Sequence, residues 1–452
     1  LYILPFLDTH YPEISRALLR YRYHRLRKAR LAARRGGHKG AAYPWQSGSD
    51  GREESQVMHL NPRSGRWVPD SSWQQRHVNL AIAYNMWAHY ALTGDSTALE
   101  TGNAEVIIEI TRLFASLVEY NEAREGGRYE VHDVMGPDEF HEAYPDTEKK
   151  GLKNNAYTNV MVSWLMETAL RVIDALDDEP RRNLLGWLGI SDAERERWDH
   201  ISRRMYVPFH GKGIISQFEG YDDLLEFDWP GYRAKYGDIQ RLDRILESEG
   251  DSADRYKLAK QADSLMLFYL FDEPQMEARF ARLGYAFTAD TWLENVDHYL
   301  ERTSHGSTLS YLVHAWVLAR QRPDQAWEYL GKALRSDITD IQGGTTAEGI
   351  HLGLMAGTVD LLQRGLTGLQ ARDGQLFFNP SLIGSLTRIS TALQLFGHWV
   401  MVDVTADSLT LEFDPRWRRR AARIPVEIRG RVEEFEPGVR RTIHLREPAH
   451  VG

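Results

Sequence analysis

The sequence contains no cysteine. Disulfides, thiolate metal sites and a cysteine nucleophile are excluded, and a cytoplasmic, reducing location suits the chain. No run approaches the roughly 20 apolar residues that span a bilayer. The opening stretch LYILPFLDTHYPEI is apolar but has neither a basic flank before it nor a small-residue cleavage site after it, so it does not read as a signal peptide. It also lacks an initiator Met, and the chain reads as beginning inside a larger protein. A nucleotide P-loop is missing, because HGKG at 210–213 is not followed by Ser or Thr. The G-x-S-x-G elbow of serine hydrolases is missing too. His132, Asp133 and His141 lie close in sequence without an H-E-x-x-H spacing, so no metal is expected. An excess of positive charge is also lacking: 55 Lys and Arg against 64 Asp and Glu leave a net charge of −9, which gives nucleic acid no general reason to bind. Of two local basic stretches, residues 20–35 follow a helical pattern with arginines largely on one side, which reads as a solvated helix face. The other, residues 416–431, runs into a strand-like pattern and meets Glu433, Glu434 and Glu436.

What is present is aromatic and helical. A chain of 452 residues exceeds one ordinary core, though large toroids and barrels reach that size as one unit. Hydrophobic residues at 42% and charged residues at 26% have the balance of a folded protein rather than a disordered one. The 13 Trp, 21 Tyr and 15 Phe fill cores and also offer flat faces on which sugar rings stack.

Residues 12–35 read as a helix that starts near Pro12 and stops at Gly36-Gly37. Further helices are expected at about 73–93 and 96–119, and the apolar stripe Val160, Met161, Trp164, Leu165, Ala169, Val172, Ile173 and Leu176 marks another at 154–176. Others fit 191–205, 252–270, 308–321, 323–335 and 347–364. Helices separated by polar loops suit helix pairs wound into a ring. After about residue 398 the period changes to two, in WVMVDVTADSLTLEFDP and RIPVEIRGRVEEFEPGVRRTIHL, which predicts a small β-domain. The expected domains are therefore a helical one over 1–397 and a β one over 398–452.

Polar residues gather in loops. YPWQSGSDGREES (43–55) carries Trp45, Gln46, Asp50, Arg52, Glu53 and Glu54, and VHDVMGPDEFHE (131–142) carries Asp138, Glu139 and His141. YKLAKQAD (256–263) places Lys257, Lys260 and Gln261 at the opening of an apolar helix. RTSHGSTLS (302–310) and GGTTAEGIHLG (343–353) put hydroxyls and a His at helix starts, a natural pocket for an oxyanion or phosphate. Each has a plainer reading. Asp after Pro is common in turns, Ser304, Ser307 and Thr308 suit simple N-caps, and His314 suits a satisfied core position.

Taken together and in order, VMGPDEFHE…NNAYTNVMV, KLAKQAD, RTSHGSTLS and TTAEGIHLGLMAGT resemble glycoside hydrolase family 65, over nearly the whole chain. The resemblance implies an (α/α)6 barrel followed by a small β-domain, and an inverting phosphorylase of trehalose, maltose, kojibiose or a related α-linked glucosyl disaccharide. The family's N-terminal β-sandwich is absent here, and its glucosyl-gripping Trp-Asp pair would fall before Leu1. Glu139 matches the family's general acid. Trp45 is taken as a substrate-binding residue, and Lys260 and Gln261 match the pair that holds the glucosyl unit. His305, Ser307, Thr308 and His351 match the phosphate loops. No cofactor is implied beyond inorganic phosphate as co-substrate; the resemblance also implies a homodimer, and neither nucleic acid nor a membrane is an expected partner.

A general acid must hold its proton near neutrality, so Glu139 is expected to have apolar walls or a carboxylate neighbour. Phosphate brings its own nucleophilic oxygen and needs no protein base. An inverting hydrolase needs a second carboxylate, about 6.5–9.5 Å from the first, and Asp337, Asp340 or Glu348 would supply it, although Glu348 also suits a cap for Thr345 or Thr346. A third reading is a non-catalytic sugar-binding toroid or inactive fragment, which a sugar-induced melting shift without turnover would support. Two stretches, AYPDTEKKGLK (143–153) and SDGREESQVMHLNPRSGRWVPDSSWQQRHV (49–78), depart from the phosphorylase pattern and shape the acceptor side.

Overall fold

Asn155 begins a helix, Ala156–Ala175, that is buried along most of its length. The Asn155 side chain accepts from the Thr158 N–H at 2.9 Å, so one orphan donor of the first turn is satisfied by the residue that stops the preceding loop. The computed structural model describes residues 1–261, 263–341, 346–416 and 423–445. The chain divides into two compact units: Leu19–Tyr84 with Leu99–Ser310, and Leu1–Leu18 with Asn85–Ala98 and Tyr311–Gly452.

In the first unit the 156–175 helix packs against the helices Ala104–Leu117, Asp192–Arg204, Asp263–Leu270 and Glu273–Leu283. Contact on several sides explains its wide apolar stripe, since a helix with many neighbours needs more than one apolar face. Trp198 and Ile201 of the 192–204 helix are fully buried, and the Ser163 hydroxyl donates to the Ser202 carbonyl at 2.6 Å. Short antiparallel pairs interrupt the helices, Met58–Asn61 with Arg66–Pro69 and Glu119–Asn121 with Arg128–Glu130. The basic helix Pro12–Arg35 is less of a solvated face than its pattern implies. Arg30 pairs with Glu105 at 2.7 Å and Glu109 at 3.0 Å, and Arg22 lies over the Tyr21 and Tyr43 rings.

The second unit carries the sheets. Strands Arg441–His444, Ser408–Phe413, His398–Thr405 and Arg388–Leu395 form one antiparallel sheet in that spatial order. Its register puts Val400 opposite Phe413, Val402 opposite Leu411 and Val404 opposite Leu409, all at most 1% exposed. The period-two pattern of the sequence is thus the buried face of this sheet. A second sheet orders Arg431–Phe435, Ile424–Ile428, Gln375–Phe378 and Gln370–Arg372, with the 375–378 and 424–428 strands parallel. Leu376, Phe378, Val426 and Phe435 from this sheet join the same apolar core as the first. Among the described residues of this unit, strand structure begins at Gln370. Of the second basic stretch, residues 417–422 lie outside the described residues, while Arg423 pairs with Glu434 at 3.1 Å.

Several helices start later than their patterns imply. The segment at 73–93 opens with a 3₁₀ turn, Ser72–Gln74, and becomes α-helical only at Val78–Thr93. The segment at 96–119 is broken by a π turn, Leu99–Asn103, where Gly102 has φ 166° against the Tyr23 ring. The segment at 252–270 opens with a 3₁₀ turn, Ala253–Arg255, and is α-helical only from Asp263, so Lys257, Lys260 and Gln261 lie on an irregular stretch before the helix rather than in it.

Candidate active site

The GPDEFH loop is held by a carboxylate that bonds to two segments at once. Asp138 Oδ1 accepts from the backbone N–H of Lys260 at 2.6 Å and, more weakly, from that of Gln261 at 3.4 Å. Its other oxygen meets His141 Nδ1 at 2.9 Å, and His141 Nε2 meets the Tyr256 carbonyl at 3.0 Å. Asp138 and His141 are both 2% exposed. Burial alone would lower the His141 imidazole, but the Asp138 carboxylate and the Tyr256 carbonyl outweigh it, and His141 is raised above the ordinary histidine value. The pair therefore keeps its proton to higher pH than a free imidazole does.

Gln261 completes the grip by donating from Nε2 to the Pro137 carbonyl at 2.9 Å. Below the loop, Asp263 Oδ2 accepts from Asn155 Nδ2 at 2.5 Å, and Asp263 Oδ1 is buried without a hydrogen-bond partner among the described residues. Burial, and then the Asp138 charge, push the Asp263 carboxyl well above the usual carboxylate range. Gly136 makes this layer fit. A Cβ there would lie 1.9 Å from Asp263 Oδ2 and 2.4 Å from Asn155 Nδ2. Gly136→Ala is expected to lower stability by about 1–3 kcal/mol, the range for overpacking, and to shift the loop; a thermal melt beside an activity assay checks it.

Glu139 stands at the tip with φ 66°, a left-handed conformation that non-glycine residues rarely adopt. Lys260 Nζ donates to its Oε2 at 2.5 Å, and the Glu139 side chain is 32% exposed. The ion-pair partner of Glu139 is the Lys260 ammonium, while Asp138, next to it in the chain, and Asp263 are buried carboxyls of the same unit. A strained backbone over-determined by surrounding bonds is a mark of functional loops.

The 302–310 loop joins this group through Lys260. Its carbonyl accepts from the Gly306 N–H at 3.2 Å, and the Ala259 carbonyl accepts from the Ser304 N–H at 2.8 Å. His305, at φ 58°, bonds through Nδ1 with Ser310 Oγ at 2.9 Å. Ser304 donates to the Gln240 carbonyl at 3.1 Å rather than capping the helix, while Ser307 and Thr308 stand at the start of the helix Thr308–Leu318. Glu139, Lys260, Gln261, His305 and Ser307 are thus assembled on three adjoining loops of one unit. Trp45, in the same unit, is half-buried with its ring edge-on to His77 at 5.3 Å.

His351, Asp337 and Asp340 belong to the other unit. Asp337 accepts from the His351 backbone N–H at 2.9 Å and from His351 Nδ1 at 2.5 Å, which holds its carboxyl below the usual range despite the opposing effect of burial. Asp340 accepts from the Thr346 N–H at 3.1 Å, the capping task expected of Glu348. The Glu348 side chain and Thr345 lie outside the described residues. His314 is buried beside the Tyr329 ring, with centroids 5.5 Å apart. Among the described residues no group of three or more His, Asp or Glu side chains is placed to hold a metal ion, and no helix is long and apolar enough to cross a membrane.

Asp263 and Asn155 were given no role by the sequence, although both stand in its quoted motifs. Polar residues at the first positions of two very apolar helices were the signal that could have found them.

Comparison with known proteins adds to this geometry. The model of the glycosyl hydrolase family 65 central catalytic domain matches residues 1–360, and that of the family's C-terminal domain matches residues 369–433. A glycosyl hydrolase of Mycobacterium tuberculosis is 50% identical over 438 residues, 97% of this chain and 33% of that one. Trehalose 6-phosphate phosphorylase of Lactococcus lactis is 38% identical over 432 residues, 93% of this chain and 54% of that one. Kojibiose phosphorylase of Halothermothrix orenii is 30% identical over 444 residues, 95% of this chain and 53% of that one. The chain thus spans between a third and about half the length of these relatives. A solved structure of a candidate kojibiose phosphorylase from the human microbiome superposes with a TM-score of 0.76 at 20% identity, over 98% of this chain and 59% of that one, a likeness of fold.

Proposed function

The chain belongs to glycosyl hydrolase family 65, and from that premise we propose that it carries the catalytic part of an inverting α-glucoside phosphorylase, built on an (α/α)6 barrel. The observation that carries this reading is the contact between Glu139 and Lys260, made by two loops that Asp138 locks together. Glu139 is the general acid. An ion-paired carboxylate has no proton to give, so Lys260 must release it as the glucoside enters, and the freed ammonium and Gln261 then hold the glucosyl unit. Inorganic phosphate, facing His305, Ser307 and Thr308, attacks the anomeric carbon from the side opposite Glu139. The new C1–O bond forms as the glycosidic C–O bond breaks, and the leaving oxygen takes the Glu139 proton. One inversion of an α-glucoside gives β-glucose 1-phosphate and the free acceptor sugar.

The hydrolase alternative needs a second carboxylate to activate water. Asp337 is engaged by the backbone and ring of His351, and Asp340 accepts the Thr346 N–H, which disfavours both as that base. Incubating the full-length protein with trehalose, maltose, kojibiose and nigerose, with and without phosphate, tests the reading. Phosphate-dependent β-glucose 1-phosphate is the expected product. Equal release of free sugars without phosphate would sink the phosphorylase and return attention to Asp337, Asp340 and Glu348.

A further inference from the structure

Asp254 does for the far end of the acid loop what Asp138 does for the near end. It stands in the 3₁₀ turn Ala253–Arg255, and its Oδ1 accepts from the backbone N–H of Glu142 at 2.9 Å and of Ala143 at 3.2 Å. Asp138 Oδ1 makes the reciprocal pair of bonds, onto the N–H groups of Lys260 and Gln261. Between the two, His141 Nε2 meets the Tyr256 carbonyl. Residues 138–143 and 254–261 therefore lie antiparallel, each segment lending the other one carboxylate. The second oxygen of Asp254 is engaged as well. It accepts from the Ser252 hydroxyl at 3.0 Å, and that hydroxyl accepts from the Asp254 N–H at 3.1 Å. The side chain is thus fixed from both sides.

The backbone of the 255–259 stretch is committed to other segments. The Arg255 carbonyl accepts from the Leu225 N–H at 3.0 Å, the Lys257 N–H donates to the Leu225 carbonyl at 2.7 Å, and the Ala259 N–H donates to the Arg302 carbonyl at 2.8 Å. Side chains are left to set how the acid loop lies against it. A carboxylate that accepts from two successive N–H groups suits that task, because each bond is charge-assisted and stronger than a neutral one.

Glu139 sits between the two holds. Its φ of 66° belongs to a conformation that persists only where surrounding bonds over-determine it. A single hold at Asp138 would let the loop turn about that point, whereas a second hold at residues 142–143 fixes its direction too. Lys260, the partner of Glu139, belongs to the segment that supplies the second hold. The meeting of these two side chains therefore depends on both carboxylates.

We propose that Asp254 is a positioning residue for the general acid: it fixes the register of the acid loop against residues 254–261, and with it the aim of the Glu139 carboxyl. The inference rests on the phosphorylase reading for the role of Glu139, but not for the coupling of the two holds. Two measurements on the full-length protein test it. Asp254→Ala removes the acceptor, and Asp254→Asn keeps an oxygen in its place without the charge.

The first measurement is amide hydrogen exchange followed by mass spectrometry. Asp254→Ala is expected to speed exchange at residues 142–143 and, across the frame, at Lys260 and Gln261, with the helix Ala156–Ala175 unchanged. Faster exchange confined to 142–143 would mean that the two ends are held independently and would overturn the proposal. An equal rise in the 156–175 helix would make Asp254 a residue of general stability and overturn it too. Should Asp254→Ala fail to fold, Asp254→Asn is read in the same way at smaller amplitude. The second measurement compares α-glucosyl fluoride, whose leaving group departs without protonation, with whichever disaccharide the wild type cleaves. In Asp254→Ala, kcat for the disaccharide should fall by up to ~100-fold, the loss that about 1 Å of misplacement brings. KM should change little, the fluoride should lose much less, and Asp254→Asn should recover part of the loss. Equal losses on both donors, or none on either, would overturn the proposal. Free glucose formed without phosphate would end the phosphorylase reading yet leave this comparison intact, because a general acid serves water as it serves phosphate. A wild type inert on every donor would also end that reading, and the exchange experiment alone then decides on Asp254.

Discussion

Glu139→Gln is expected to lower kcat for ordinary glucosides by about 10²–10⁴-fold, the contribution of a positioned general acid, while the protein folds as before. The amide keeps the shape of the side chain and still accepts from Lys260, so the loop retains its geometry. Stability is not at stake, because the Glu139–Lys260 contact is partly exposed, and such pairs contribute roughly 0–1 kcal/mol. The diagnostic lies in the leaving group. An alkoxide needs protonation as the C–O bond breaks, whereas fluoride departs without it. α-Glucosyl fluoride should therefore be phosphorolysed by Glu139→Gln with a much smaller loss than trehalose or maltose shows. Parallel losses on both substrates would mean that Glu139 positions the glucoside rather than protonating it, and no loss on either would remove it from the mechanism.

The GPDEFH loop was singled out as a candidate site because four motifs stood in a known order, not because its own residues demanded it. Its internal wiring was not legible. Asp138 and His141 are three residues apart, a spacing that turns and helices share, and only the fold shows that Asp138 Oδ1 reaches the backbone of Lys260 across more than 120 positions of chain. Apolar periodicity predicted the 156–175 helix well because burial on several sides leaves a broad stripe. It failed at 256–261, where residues read as helix are instead pulled out to bond with the acid loop and with the 302–310 loop. The amphipathic helices Asp178–Leu188, Glu273–Leu283 and Ala289–Glu301 went unread, as their charged faces dilute the apolar signal. In the sheets the alternation was clear for 398–413, while the short strands from Gln370 to Phe378 carry too few residues to establish a period.

Asp138→Ala is the substitution expected to damage the fold most. It removes the acceptor of the Lys260 and Gln261 N–H groups and strands His141 in a buried position beside the Tyr256 carbonyl. Breaking a buried pair from one side costs about 3–5 kcal/mol, so a clear drop in Tm is predicted. Activity should fall further than stability explains, because Glu139 and Lys260 each adjoin a bond that is lost. The pH dependence separates this pair from simple packing. His141 has a folded-state pKa raised above its unfolded value of about 6.5. Its contribution is therefore fully present below about 6.5 and is lost as pH rises through the higher folded value. The difference in unfolding free energy between wild type and Asp138→Ala, followed by denaturant melts from pH 6 to pH 9, should shrink as the pH increases. A gap that stays constant over that range would mean that the buried pair holds the acid loop by shape alone.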